Sequence, residues 1–169
     1  MRMAAVGLLM LVSCLLPRPA PLAAQRHPSQ TALLESLVGD WAFTVRKADG
    51  TVFYRGRSSF KATSPDRLDW TEQRSDGTRW AGYLLYDEDQ SRFVYGFTAA
   101  SGELCTVPGH LSGSGTIEFG TEGPCSAYVM DSVLHLQDAD HFTYARADGG
   151  YVGSYERVTV VASRHTSRP

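Results

Sequence analysis

From Trp41 onward the chain alternates apolar and polar residues in short runs. Trp41, Phe43 and Val45 alternate with Ala42, Thr44 and Arg46, the two-residue period of a strand with one buried face. Polar turn signals break the alternation at strand-like intervals: Asp49-Gly50, Ser64-Pro65-Asp66, Asp76-Gly77, Glu88-Asp89-Gln90, Ser101-Gly102, Asp138-Ala139-Asp140 and Asp148-Gly149-Gly150. The pattern predicts strands over Trp41–Ala48, Thr51–Ala62, Arg67–Arg74, Thr78–Asp87, Ser91–Ala99, Thr116–Phe119, Ala127–Gln137, His141–Ala147 and Tyr151–Val161. A weaker strand falls near Leu104–Val107, followed by a glycine-serine loop over Gly109–Gly115 and a second loop over Gly120–Pro124.

One stretch departs from the two-residue period. Leu33, Leu34 and Leu37 fall on a single helical face, Thr31 can cap the start, and Gly39 tolerates the backbone that ends a helix. A short apolar helix therefore precedes the opening strand, positioned to plug one end of a sheet that closes on itself; an ordinary helix-to-strand junction with a core tryptophan is the simpler reading.

About ten strands joined almost entirely by tight turns require antiparallel neighbours. A meander this long removes its free edges by curling shut. The expected fold is all-β, an up-and-down antiparallel barrel of about eight to ten strands with a short N-terminal helix. A β-sandwich is the alternative, although it usually needs longer crossing connections.

The first residues read as export machinery. Arg2 supplies a positive start, Ala4 to Leu16 is apolar, and Pro17 ends the run, which is short for a permanent membrane span. Ala23-Ala24 before Gln25 offers a cleavage site, although Leu22 fits poorly at the third position back. Leu11-Val12-Ser13-Cys14 offers a second route, lipidation of Cys14, against which the apolar run continues through Leu15 and Leu16. The chain thus divides into a signal peptide (1–24), a linker (25–30), a barrel domain (31–161) and a polar tail (162–169). The expected location is periplasmic or secreted, with a lipid anchor at Cys14 as the lesser alternative.

Charge and cysteine content refine this picture. The net charge is −2, and removal of residues 1–24, with Arg2 and Arg18, makes it −4. No basic run or patch stands out, which argues against nucleic acid as a partner. Cys105 and Cys125 remain after export, an even pair suited to a disulfide in an oxidising compartment; two buried thiols are the other reading. No CxxC supports redox chemistry.

Certain residues carry a family resemblance. Gly39-Asp40-Trp41 after a leucine-rich helical turn resembles the Gly-x-Trp entry of the lipocalin and calycin families. Tyr86-Asp87, Phe93-Val94-Tyr95 and the closing Tyr155-Glu156-Arg157-Val158 resemble the middle hairpin and last strand of bacterial exported lipocalin-like families of unknown function. The resemblance implies a barrel of eight to ten strands and an arginine packed across the entry tryptophan, a role for which Arg157 and Trp41 are the candidates. It says little about ligand.

Catalytic and metal motifs are lacking. The five histidines, His27, His110, His135, His141 and His165, form no HExxH and no tight cluster, although His135 and His141 could meet across a hairpin. Gly113-Ser114-Gly115 lacks the spacing of a nucleophile elbow. No catalytic residue, metal or cofactor is assigned. Strand parity offers more. Leu68, Trp70 and Glu72 share a face, as do Trp80, Gly82, Leu84 and Tyr86; Phe93, Tyr95 and Phe97; Phe142, Tyr144 and Arg146; and Tyr151, Tyr155 and Arg157. Turned inward, these faces line a barrel with aromatics and leave Glu72 and Arg146 needing partners. Tyr83 and Leu85 lie on the opposite parity, so one apolar set faces out or the strand bulges. The expectation is an interior site for a small apolar or amphipathic molecule, lined by Trp70, Glu72, Trp80, Tyr95, Tyr144 and Arg146. A small isomerase or hydrolase using Glu72, Asp69 or a histidine as base, and a filled barrel serving as an envelope interaction module, are the alternatives. Oligomeric state is left open.

Overall fold

The computed structural model describes residues 28–98, 102–120 and 131–159. One helix, α1 (Pro28–Leu37), precedes ten strands: β1 (Gly39–Lys47), β2 (Val52–Ser64), β3 (Arg67–Arg74), β4 (Arg79–Asp87), β5 (Arg92–Thr98), β6 (Leu104–Gly113), β7 (Thr116–Phe119), β8 (Ser132–Leu136), β9 (His141–Arg146) and β10 (Tyr151–Arg157). Each strand pairs antiparallel with its neighbours in sequence, and β1 pairs with β10 to close the barrel. Closure satisfies both backbone edges that an open ten-stranded meander would leave bare. The β-sandwich alternative is set aside.

The Asp-Gly turns work as expected. Asp49, Asp76 and Asp148 each accept a backbone N–H two residues on, at 2.8–2.9 Å, fixing three hairpins.

Several boundaries differ from the sequence reading. The helix starts at Pro28, so Thr31 is an interior residue and not its N-cap, and residues 28–30, expected in the linker, are helical. Strand β6 runs through Gly113, absorbing most of the expected glycine-serine loop. Gly109 belongs there for a packing reason: a Cβ would collide with the Phe119 ring of β7. The described part of β8 begins at Ser132, later than the predicted Ala127, and residues 127–130 lie outside the described residues.

The apolar face of α1 seals one end of the barrel. Leu33, Leu34 and Leu37 are buried with Trp41, Phe60, Leu68, Leu84, Phe93 and Phe142 in one continuous core. Gln30 Nε2 donates to the Tyr86 hydroxyl at 3.2 Å, tying the helix to β4. Trp41 Nε1 donates to the Leu37 carbonyl at 2.9 Å, which satisfies both a buried donor and an orphaned carbonyl at the helix end. Arg157 lies over the Trp41 indole, its guanidinium carbon 4.2 Å from the ring centroid. The sealed end thus unites the beginning of β1 with the end of β10.

Candidate ligand-binding cavity

The opposite end of the barrel is hollow. There the end of β3, the beginnings of β2, β4, β8 and β10 and the ends of β5 and β9 surround a cavity of about 370 Å³. All six residues expected to line the interior border it: Trp70 and Glu72 on β3, Trp80 on β4, Tyr95 on β5, and Tyr144 and Arg146 on β9. The barrel is therefore filled near the helix and open away from it.

Aromatic rings form most of the wall. Trp70 and Tyr95 stack at 5.4 Å with planes 5° apart, and Phe142 and Tyr155 stack at 4.2 Å and 12°. Tyr95 also meets Tyr144 at 6.1 Å. Gly82 makes room for this arrangement, because a Cβ on β4 would strike the Trp70 ring and the Gly96 carbonyl. Tyr83, on the other parity of β4, faces outward: Arg67 lies 4.4 Å over its ring. The pairing of β4 with both neighbours runs without a bulge, so the second apolar set of this strand simply covers the outside.

The interior charges found partners close by in sequence. Glu72 Oε1 accepts from Arg74 Nε at 2.6 Å, and Arg146 Nη2 pairs with Asp148 Oδ2 at 2.5 Å. Arg74 also packs on aromatic faces, 4.2 Å from the Tyr54 centroid and 5.1 Å from that of Trp80. Burial tends to lower its pKa, but the hydrogen bond and charge of Glu72 outweigh that and raise it. The phenols respond to burial more simply. Desolvation pushes Tyr95 and Tyr155 well above the usual tyrosine value, raises Tyr54, and brings Tyr144 to about 12 even though its hydrogen bond to Ser132 Oγ, at 2.9 Å, acts the other way. The cavity is thus walled by neutral phenols, with two ion pairs, Glu72–Arg74 and Arg146–Asp148, beside it.

Arg74, Tyr54, Ser58 and Ser132 escaped the sequence reading, yet the first three had a legible signal. Arg74 continues the parity of Leu68, Trp70 and Glu72, and Tyr54 shares the parity of Ser58 and Phe60. Ser132 had none, being brought to the site by the pairing of β8 with β9.

No catalytic constellation assembles among the described residues. Asp69, on the outer face, is bound by Arg67 Nε at 2.8 Å. His135 bonds Thr116 at 2.8 Å and His141 bonds Asp138 at 2.9 Å, so the two histidines turn to different partners. His110 lies 3.5 Å from Glu118, both exposed. Among the described residues no group of three or more metal-binding side chains converges. Cys105 is fully buried at the start of β6; Cys125, its expected partner, lies outside the described residues. No described helix is long and apolar enough to cross a membrane.

No protein-family model matches the chain, and no curated protein matches it. Similar solved structures include a redesigned β-barrel, 20% identical with a TM-score of 0.43 over 78% of this chain and 96% of the other. A second redesigned β-barrel, bound to DFHBI, is 16% identical with a TM-score of 0.39 over 74% and 98%. A protein of unknown function from the DUF3598 family of Nostoc punctiforme is 10% identical with a TM-score of 0.25 over 77% and 99%.

Proposed function

We propose that this protein is an exported, lipocalin-like binding barrel that holds a small apolar or amphipathic molecule in the end of its interior opposite the helix. The observation that carries this reading is the half-hollow barrel. Aromatic side chains that would fill the core of a purely structural barrel instead border about 370 Å³ of space, with a few polar groups converging on it. The lipocalin-like assignment draws support from Arg157 packed across Trp41 at the sealed end. Export draws support from the apolar N-terminal segment before Pro17.

Native mass spectrometry of the protein purified from its own host tests both parts. The expected spectrum shows a chain beginning near Gln25 and a non-covalent adduct of a few hundred daltons that is lost on denaturation. A mass matching a diacylated Cys14 start replaces cleavage with a lipid anchor. An adduct-free protein that also fails to bind apolar fluorescent probes overturns the binding reading in favour of the interaction module.

A further inference from the structure

The mouth of the cavity holds an arginine with a fixed stem and a free fork. Arg74 Nε is taken by Glu72 at 2.6 Å, and the guanidinium plane rests against Tyr54 and Trp80 at 4.2 and 5.1 Å. Nη1 and Nη2 have no protein acceptor among the described residues, although the side chain is only 23% exposed. The register explains how the fork reaches the interior. Arg74, Gly56, Phe43 and Tyr155 are successive partners across β3, β2, β1 and β10. Gly56 has no side chain to occupy the gap, and the Phe43 ring takes part of that space. Arg74 and Tyr155 are thereby near enough to interact electrostatically across the row.

Hydroxyl donors complete the setting. Tyr95 and Tyr155 both border the cavity, and among the described residues neither hydroxyl has a hydrogen-bond partner. The one carboxylate nearby, Glu72, already accepts from Arg74. The hydroxyls can donate or accept, but the buried indole N–H groups of Trp70 and Trp80, which only donate and have no partner among the described residues, tip the cavity toward donors. A cationic ligand would have to evict Arg74 from a cage that already contains a carboxylate and two aromatic faces. An acceptor needs no such displacement.

Building on the binding-barrel reading, we infer that the ligand carries a carboxylate on an apolar body, and that Arg74 receives it through Nη1 and Nη2 with help from the Tyr155 and Tyr95 hydroxyls. The two terminal nitrogens of a guanidinium match the two oxygens of a carboxylate in one plane, and its anchored Nε means that little freedom is lost on binding. The apolar body then lies against Trp70, Trp80, Phe97 and Tyr144.

Two matched probe pairs separate head from body: 2-naphthoate against 2-naphthamide, and decanoate against decanamide, each titrated calorimetrically at pH 7. In the unaltered protein at least one carboxylate is expected to bind about tenfold or more tighter than its amide, as a charge-assisted contact predicts. Which pair shows the preference tells an aromatic ligand from an aliphatic one, and either result supports the inference. The Glu72→Gln/Arg74→Gln double variant keeps a neutral hydrogen-bonding pair and should bring the carboxylate-to-amide ratio to about one. Tyr155→Phe keeps the ring stack, should leave Tm unchanged, and should weaken the carboxylate several-fold while sparing the amide. Equal binding of acid and amide to the unaltered protein, or a preference that survives the double variant, overturns the inference while the binding-barrel reading stands. Failure of all four probes to bind overturns the binding-barrel reading itself, and the inference with it.

Discussion

Trp41 and Arg157 are direct partners in the β1–β10 register, 116 residues apart in sequence, and the Arg157 guanidinium carbon lies 4.2 Å over the Trp41 indole. Arg157 also donates to the carbonyls of Ser36, Val38 and Ala139 at 2.7, 2.6 and 2.9 Å. One side chain thus joins the helix end, the entry of β1, the β8–β9 hairpin and the last strand. Trp41→Ala should cost about 3–5 kcal/mol through lost burial and a cavity. Arg157→Ala should cost about 2–3 kcal/mol through the lost stack and carbonyl contacts. Because the two side chains touch, a double-mutant cycle by chemical denaturation should show coupling of about 1 kcal/mol. Additivity would mean that the stack contributes nothing to holding the barrel shut.

Gly39 is required twice over at the same corner. Its φ is +138°, a conformation L side chains rarely adopt, and a Cβ there would run into Arg157 Nη1. Gly39→Ala should therefore destabilise the protein by about 2 kcal/mol, in the range of a strained backbone position. Adding Arg157→Ala should remove the collision, so the pair should lose less stability than the sum of the single changes. A fully additive pair would show that backbone strain alone explains the glycine.

Alkaline pH should unfold the protein by ionising its interior. Burial raises the pKa of Tyr95 and Tyr155 well above 10 and that of Tyr144 to about 12. The folded state holds these phenols neutral, whereas the unfolded chain ionises them from pH 10 upward. Stability is therefore untouched by them below about pH 10 and falls as pH rises toward and through 12. Tyr144 alone should account for a loss of about 2–3 kcal/mol over that window. Absorbance at 295 nm should show only some of the 8 tyrosines titrating near pH 10 in the native protein, the rest appearing with unfolding. Simultaneous titration of all of them in a still-folded protein would contradict the buried phenols.

The thiols give a separate check on export. Cys105 is fully buried at the start of β6, and the proposed partner is Cys125. Mature protein denatured without reductant should show no reactive thiol, and two after reduction. Reduction should lower stability by on the order of 3 kcal/mol, as for a loop of about twenty residues. Two reactive thiols before reduction would remove the bridge.

Local pattern was enough to place the strands and their inward faces. Trp70, Glu72, Trp80, Tyr95, Tyr144 and Arg146 could be selected from parity alone because a strand's side chains alternate strictly between two faces, and only one face of a closed barrel is interior. Leu33, Leu34 and Leu37 were legible for the same kind of reason, a helical stripe with a single place to bury itself. What required the tertiary structure was everything set by register between strands distant in sequence. The extension of β6 through Gly113 depends on Gly109 lying under Phe119, and the site role of Ser132 on its partner Tyr144. Whether the interior is hollow depends on how ten inward stripes of different bulk meet in space. That sum is decided by packing between strands, and it leaves the helix end filled and the end at Arg74 open.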